Sequence, residues 1–250
     1  MNVNLSNINL SRLRLGGINL SEIKLGMPSG NRKPDPIPGL KGLIALYSGA
    51  GLTNEQMSQN PVWKDLSGNG HDLQMKNFAW NDQSGVNASD YAGAIVFDGV
   101  DDYGFCDNFP ILTKEKGYTV MALRKWINKK NAYDGLISNK NAWSDGCAFL
   151  VEYNDGIKDG TISFNRNTYV NYSQDYLIYQ TSEYYNGNQI LTGDVTEGTN
   201  ILNIGRLANS GFSQYSNFAM YALCIIDHDT SDAEREIVIN KWRQYYPELL

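Results

Sequence analysis

From Val3 the chain reads in fives: VNLSN, INLSR, LRLGG, INLSE, IKLGM, with an aliphatic residue at the first and third place of each. In an extended chain those two side chains share a face, and the Ser or Gly after each triplet permits a bend. The match is closer at ten, where Ile8–Gly17 and Ile18–Met27 are identical at six of ten positions. A repeated unit must bury its apolar stripe against a neighbour, and five pentads are too few for a self-sufficient solenoid. The pattern predicts a repetitive β-arm over residues 1–27. Its aliphatic positions Val3, Leu5, Ile8, Leu10, Leu13, Leu15, Ile18, Leu20, Ile23 and Leu25 would be buried against other chains, as an anchor or oligomerisation element, or against its own body. Residues 28–39 (PSGNRKPDPIPG) hold four of the seven prolines, and proline locks φ and removes a donor, so a semi-rigid linker is expected there.

Past Leu40 the pattern changes to short apolar runs broken by turn clusters. Strands are expected at Gly42–Tyr47, Ala94–Phe97, Thr119–Lys125, Gly135–Ser138, Cys147–Tyr153, Thr161–Phe164, Ile201–Ile204 and Phe218–Ile226. Turns fall at Ser67–Gly70, Asn154–Gly156 and Asn186–Asn188. One helix is expected near the end. Ser231 and Glu234 form a capping box, Ala233, Ile237 and Lys241 recur at helical spacing, and Pro247 marks the stop.

Composition narrows the classes. Hydrophobic residues fill 42% of 250 positions and charged residues 19%, which excludes disorder throughout and supports one sizeable core over residues 40–250. A net charge of −6 with scattered Lys and Arg argues against nucleic acid and anionic membrane as partners. The longest apolar run, Phe218 to Ile226, is nine residues, well short of the roughly 20 a membrane helix needs. Cys106, Cys147 and Cys224 lack CxxC spacing and are read as small apolar residues in strands, with neither zinc nor disulfides expected. No basic stretch followed by an apolar run opens the chain, so no export signal is expected.

GLIALY (Gly42–Tyr47), WKDLSGNGHD (Trp63–Asp72), AIVFDGVDDY (Ala94–Tyr103), YTVMALRKW (Tyr118–Trp126), YYNGN (Tyr184–Asn188), LNIGR (Leu202–Arg206) and Phe218–Ala222 with Asp229–Glu236 follow one another in the body. In that order they resemble the concanavalin A-like lectin/glucanase superfamily, in its laminin-G-like branch. The resemblance implies an all-β antiparallel β-sandwich, a jelly roll, with a short C-terminal helix. Laminin-G-like domains often hold calcium, and oxygen ligands from turns suit that ion, so Asp65, Asn69, Asp98, Asp101 and Asp102 are candidate ligands. The same residues read equally as turn architecture, since Asp carboxylates bind nearby amides. The tandem repeats before the sandwich resemble the N-terminal arms of tailed-phage virion proteins.

Retaining members of the glucanase branch carry a Glu-x-Asp-x-x-Glu strand. None occurs here, and Glu152 has no acidic partner two or four residues away. His71 and His228, the only histidines, fall in turns without a G-x-S-x-G nucleophile motif, and no phosphate-cradling loop is present. The chain is therefore not expected to be an enzyme. Sugars stack on aromatic rings and bond to Asn and Asp, which makes Trp143, Tyr169, Asn171, Tyr172, Tyr176 and Tyr184 the candidate glycan-binding residues. The expectation is a non-enzymatic virion surface protein, a head fibre or capsid decoration. It would form a homo-oligomer, with a trimer favoured, docked on capsid or tail proteins by its arm and displaying a body for cell-surface glycan. The alternatives are a stand-alone bacterial surface lectin and a glycan hydrolase.

Overall fold

The structure, a computed structural model, describes residues 14–15, 18–19, 37–113, 115–128, 133–139, 148–154, 159–162, 169–170, 176–185, 187–189, 199–207 and 214–250. The chain divides into two compact units, Met1–Lys33 and Pro34–Leu250. In the first, β1 (Arg14–Leu15) pairs antiparallel with β2 (Ile18–Asn19), so that Leu15 faces Ile18 across a ribbon whose strands are separated in sequence by two glycines. The other arm positions, Val3, Leu5, Ile8, Leu10, Leu13, Leu20, Ile23 and Leu25, lie outside the described residues.

The second unit is an all-β antiparallel sandwich with a short C-terminal helix, as the pattern predicts. Its elements begin with β3 (Leu43–Ser48), α1 (Asn54–Gln59), β4 (Val62–Trp63), β5 (Leu73–Lys76), β6 (Gly85–Val86), β7 (Ile95–Asp98) and β8 (Tyr103–Cys106). They continue with β9 (Thr119–Asn128), β10 (Tyr133–Ser138), β11 (Ala148–Asn154), β12 (Asp159–Ile162), β13 (Tyr169–Val170) and β14 (Leu177–Thr181). The last are β15 (Tyr184–Tyr185), β16 (Asn188–Gln189), β17 (Leu202–Ile204), β18 (Asn217–Ile226) and α2 (Asp232–Arg243). One sheet runs β13-β12-β11-β10-β17-β8-β5-β4, and the other runs β16-β15-β14-β9-β18-β7-β6 with β3 also on β18.

The nine-residue apolar run forms β18, the centre of the second sheet. β9 lies along one edge, while β7 pairs with its first half and β3 with its second. Phe218, Met220, Leu223 and Ile225 enter the core shared with the first sheet, where they meet Leu73, Met75, Ile137, Leu202 and Ile204. Ala219, Tyr221, Ala222, Cys224 and Ile226 join a second cluster with Val238 and Trp242 of α2. The strand is apolar on both faces because both are covered. Its alternation slips once, at Tyr221–Ala222, where the ladder with β9 shifts register, and a bulge there puts two consecutive residues on one face.

The resemblance motifs have architectural causes. Gly99, in Phe97-Asp98-Gly99, sits at φ +72°, and a Cβ there would lie 2.8 Å from Asn217 Cβ. Gly205 of LNIGR sits at φ +80°, and its Cβ would lie 2.4 Å from the ring of Phe97, itself stacked on Phe218 at 4.6 Å. Only glycine meets both demands. Trp63 is buried and donates from Nε1 to the Ser48 carbonyl at 2.9 Å.

Three expectations shift. Ile37, inside the expected linker, is 3% exposed and packs in the outer cluster, because a buried aliphatic side chain gains more there than in water. The strand expected at Thr161–Phe164 is β12, two residues earlier, and α1, capped by Thr53 and burying Met57, is an additional helix. α2 stops at Arg243, before Pro247, since the chain turns to bury Tyr246, whose hydroxyl meets the Tyr221 carbonyl at 2.8 Å. Cys106 and Cys224 are buried in strands, as expected, and burial pushes both thiols up, Cys106 to about 11. Cys147 lies outside the described residues. Among the described residues no helix is long and apolar enough to cross a membrane.

Candidate binding cleft

One end of the second sheet is tied together by Asp229, which lies between β18 and α2. Its Oδ1 accepts the N–H groups of Tyr118 (3.1 Å) and Ser182 (2.9 Å), and its Oδ2 accepts the Ser182 hydroxyl (2.5 Å). Beside it, Thr119 Oγ1 donates to the His228 carbonyl (2.8 Å) and accepts the Thr230 N–H (2.9 Å). The starts of β9 and α2 and the end of β14 are thereby held in one place. Thr181 Oγ1 accepts the N–H groups of Glu183 (3.3 Å) and Tyr184 (3.0 Å), a short-range turn between β14 and β15. Tyr184 is 42% exposed.

The two sides enclose a cleft of about 520 Å³. Tyr179, Thr181, Glu183, Tyr184 and Gly187 line the strand side, and Asp229, Thr230, Ser231, Asp232 and Arg235 the helix side. The volume falls within the roughly 300–1,000 Å³ of small-molecule sites, and the mix of aromatic rings and polar groups suits an amphipathic ligand. The Arg235 guanidinium lies 4.3 Å over the Tyr179 ring and donates to Thr230 and to the Asp232 carboxylate. The capping box is complete: Ser231 Oγ accepts the Glu234 N–H, while Glu234 Oε2 accepts the Ser231 N–H at 2.9 Å and its hydroxyl at 2.8 Å. These bonds, with His228 behind them, hold the Glu234 carboxyl down at about 2. His228, in the turn after β18, bridges Asp227 (3.0 Å) and Glu234 (3.1 Å), and its partnership with Asp227 raises its pKa.

The five calcium candidates do not form one site. Asp65 accepts the N–H groups of Leu46, Ser67 and His71 and the Ser67 hydroxyl, at 2.8–3.0 Å, four bonds for its four acceptor positions. Asn69 donates to the Leu43 and Ile44 carbonyls. Both pin the Ser67–Gly70 turn to β3. Asp98, Asp101 and Asp102 do converge, with one carboxylate oxygen from each within 4.8 Å of the others. Within that group Asp102 is fully buried, accepting the Asp98 N–H at 3.0 Å and the Ser84 hydroxyl at 3.1 Å, and burial pushes its carboxyl up to about 7.

The candidate sugar residues also separate. Tyr184 lines the cleft. Tyr176 does not line it: half-buried, it meets Tyr221 edge-on at 6.0 Å and carries Lys125 Nζ 5.0 Å over its ring. Tyr169 belongs to β13, at the far edge of the other sheet, because the chain changes sheets between β13 and β14. Trp143, Asn171 and Tyr172 lie outside the described residues. Sequence reasoning missed Thr181, Glu183, Asp229 and Arg235 as cleft residues. The capping box placed α2, but no local signal showed that Asp229 reaches Ser182 and Tyr118, 47 and 111 positions away.

No family model and no curated protein sequence matches the chain. Among solved structures, a Trypanosoma rangeli sialidase is similar over 83% of this chain and 33% of its own, with 11% identity and a TM-score of 0.52. A mutant of that sialidase displaying trans-sialidase activity aligns over the same shares with a TM-score of 0.53. The receptor-binding domain of a botulinum neurotoxin C/D mosaic serotype aligns over 80% of this chain and 51% of its own, with 11% identity and a TM-score of 0.47. This chain spans about a third of the length of the sialidases it matches. The likeness shows a shared β-sandwich. It also corrects the expectation that the chain is not an enzyme. Chains containing this sandwich include sialidases, so the missing Glu-x-Asp-x-x-Glu strand tested one carboxylate arrangement and excludes no other.

Proposed function

We propose that this protein is a multivalent glycan-binding protein of a virion surface, a head fibre or capsid decoration. Its repeat arm anchors it to capsid or tail and gathers the chains into a homo-oligomer, and a laminin-G-like jelly roll is displayed outward. The observation that carries the binding half is the cleft. An exposed Tyr184 ring and the Tyr179–Arg235 stack face hydroxyl, carboxylate and backbone groups across about 520 Å³. A pyranose has apolar C–H faces and a hydroxyl rim, and such a mixture of aromatic and polar walls recognises both. The anchoring half is supported by the ten-residue repeats, by the ribbon in which Leu15 faces Ile18, and by likeness to virion arms. Avidity links the halves, since weak sugar sites repeated on one oligomer bind a surface far more tightly than one site does.

A glycan array probed with the full chain and with Tyr184→Ala tests the first half. Binding to a defined set of sugars, lost in the variant, is expected, and no binding, or binding indifferent to the change, contradicts it. Light scattering on the full chain tests the second: a trimer is expected, and a monomer contradicts self-assembly through the arm.

A further inference from the structure

The described residues lining the cleft carry three carboxylates, Glu183, Asp229 and Asp232, against one cation, Arg235. Arg235 is committed. Its Nη1 donates to the Thr230 carbonyl and hydroxyl, its Nη2 to the Asp232 carboxylate, and its side chain is 12% exposed. Its guanidinium carbon also lies 4.3 Å over the Tyr179 ring. The carboxylates differ in availability. Asp229 is occupied by three donors from Tyr118 and Ser182, and Asp232 is paired with Arg235, whereas Glu183 is exposed on the strand side.

A ligand carboxylate entering this cleft meets like charge and finds no open guanidinium fork to hold it. Hydroxyls meet acceptors, and an ammonium meets acceptors of opposite charge. From this balance we infer that the cleft sorts sugars by charge. It takes amino sugars in preference to neutral ones and rejects sugars that bear a carboxylate, sialic and uronic acids among them. The inference rests on the sugar-binding reading above and deepens it to a ligand class. It also separates this cleft from the substrate class named by the sialidases whose sandwich it shares.

The effect is electrostatic at a solvated site, so it is modest and screened by salt. The exposed Glu183 carboxylate acting on one ammonium gives a preference of up to about fivefold at low ionic strength, which shrinks as the Debye length falls from about 30 Å at 0.01 M to about 3 Å at 1 M salt. The test is calorimetric titration of the full chain with a glucosamine tetramer, an N-acetylglucosamine tetramer and sialyllactose, at both salt concentrations. The expected order is glucosamine tetramer, then N-acetylglucosamine tetramer about fivefold weaker, then sialyllactose weakest. High salt and Glu183→Gln should each narrow the first gap, and Tyr184→Ala should weaken both tetramers alike. Sialyllactose binding tightest, and lost in Tyr184→Ala, overturns the charge sorting and leaves the sugar reading standing. A glucosamine preference that neither salt nor Glu183→Gln narrows also overturns the sorting. No binding of any of the three overturns the sugar reading and the sorting together.

Discussion

The turn at Asp65 and the cleft at Asp229 use the same local device to different ends. In each, one carboxylate collects backbone and serine donors, four bonds at Asp65 from its own turn and β3, and three at Asp229 from the residues flanking β9 and β14. Around Asp65 the donors close on themselves, and Tyr47 and Trp63 fill the interior behind them with rings 5.5 Å apart. Around Asp229 the Thr181–Tyr184 turn and the start of α2 diverge and leave a cleft. A conspicuous acidic motif therefore marks a joint. Whether a joint becomes a site depends on the space its neighbours leave open, and the less conspicuous of these two left more.

The contrast can be broken most forcefully on the side of the turn acids. Asp102 is fully buried with its carboxyl raised to about 7 by burial, while an unfolded Asp titrates near 4. Its folded value lies above its unfolded one, so the stability it contributes is present below about pH 4 and lost as pH rises through about 7. The stake is on the order of 4 kcal/mol. Asp102→Asn should flatten the decline in denaturation midpoint across that window, and an unchanged slope would assign the decline elsewhere. Asp65→Ala should cost about 3 kcal/mol in urea unfolding, since four donors lose their acceptor, and should leave sugar binding at the cleft intact. Ser231→Ala removes the α2 cap and should cost about 1 kcal/mol. Tyr184→Ala, at an exposed position, should change stability by less than about 0.5 kcal/mol while weakening sugar binding about tenfold. A Tyr184 variant that destabilises and still binds would make it a structural residue like Asp65.

Much of the fold was legible because its signals are local. The capping box at Ser231–Glu234 starts α2 as expected, and the eight expected strands all occur, with small shifts of boundary. The apolar run Phe218–Ile226 announced a strand covered on both faces. The glycines of the FDG and LNIGR motifs declared positions where a Cβ would collide with Asn217 or Phe97. Short edge elements such as β4 and β6 were less legible, because two residues carry no period. Of the lining of the candidate cleft, the sequence singled out one residue, Tyr184. The tyrosine-rich stretch is continuous in sequence but divides between two sheets after β13, so Tyr169 and Tyr184 part company while Asp229 and Arg235 arrive from the far end of the chain.

Amide chemical-shift mapping asks whether the open joint is the ligand site and the closed one architecture. The isotopically labelled full chain would be titrated with an N-acetylglucosamine tetramer. Shifts should concentrate at Thr181–Tyr184 and Asp229–Arg235, and the Asp65–His71 turn should stay silent. Shifts centred on Asp65–His71 or Asp98–Asp102, with the cleft unmoved, would contradict that assignment.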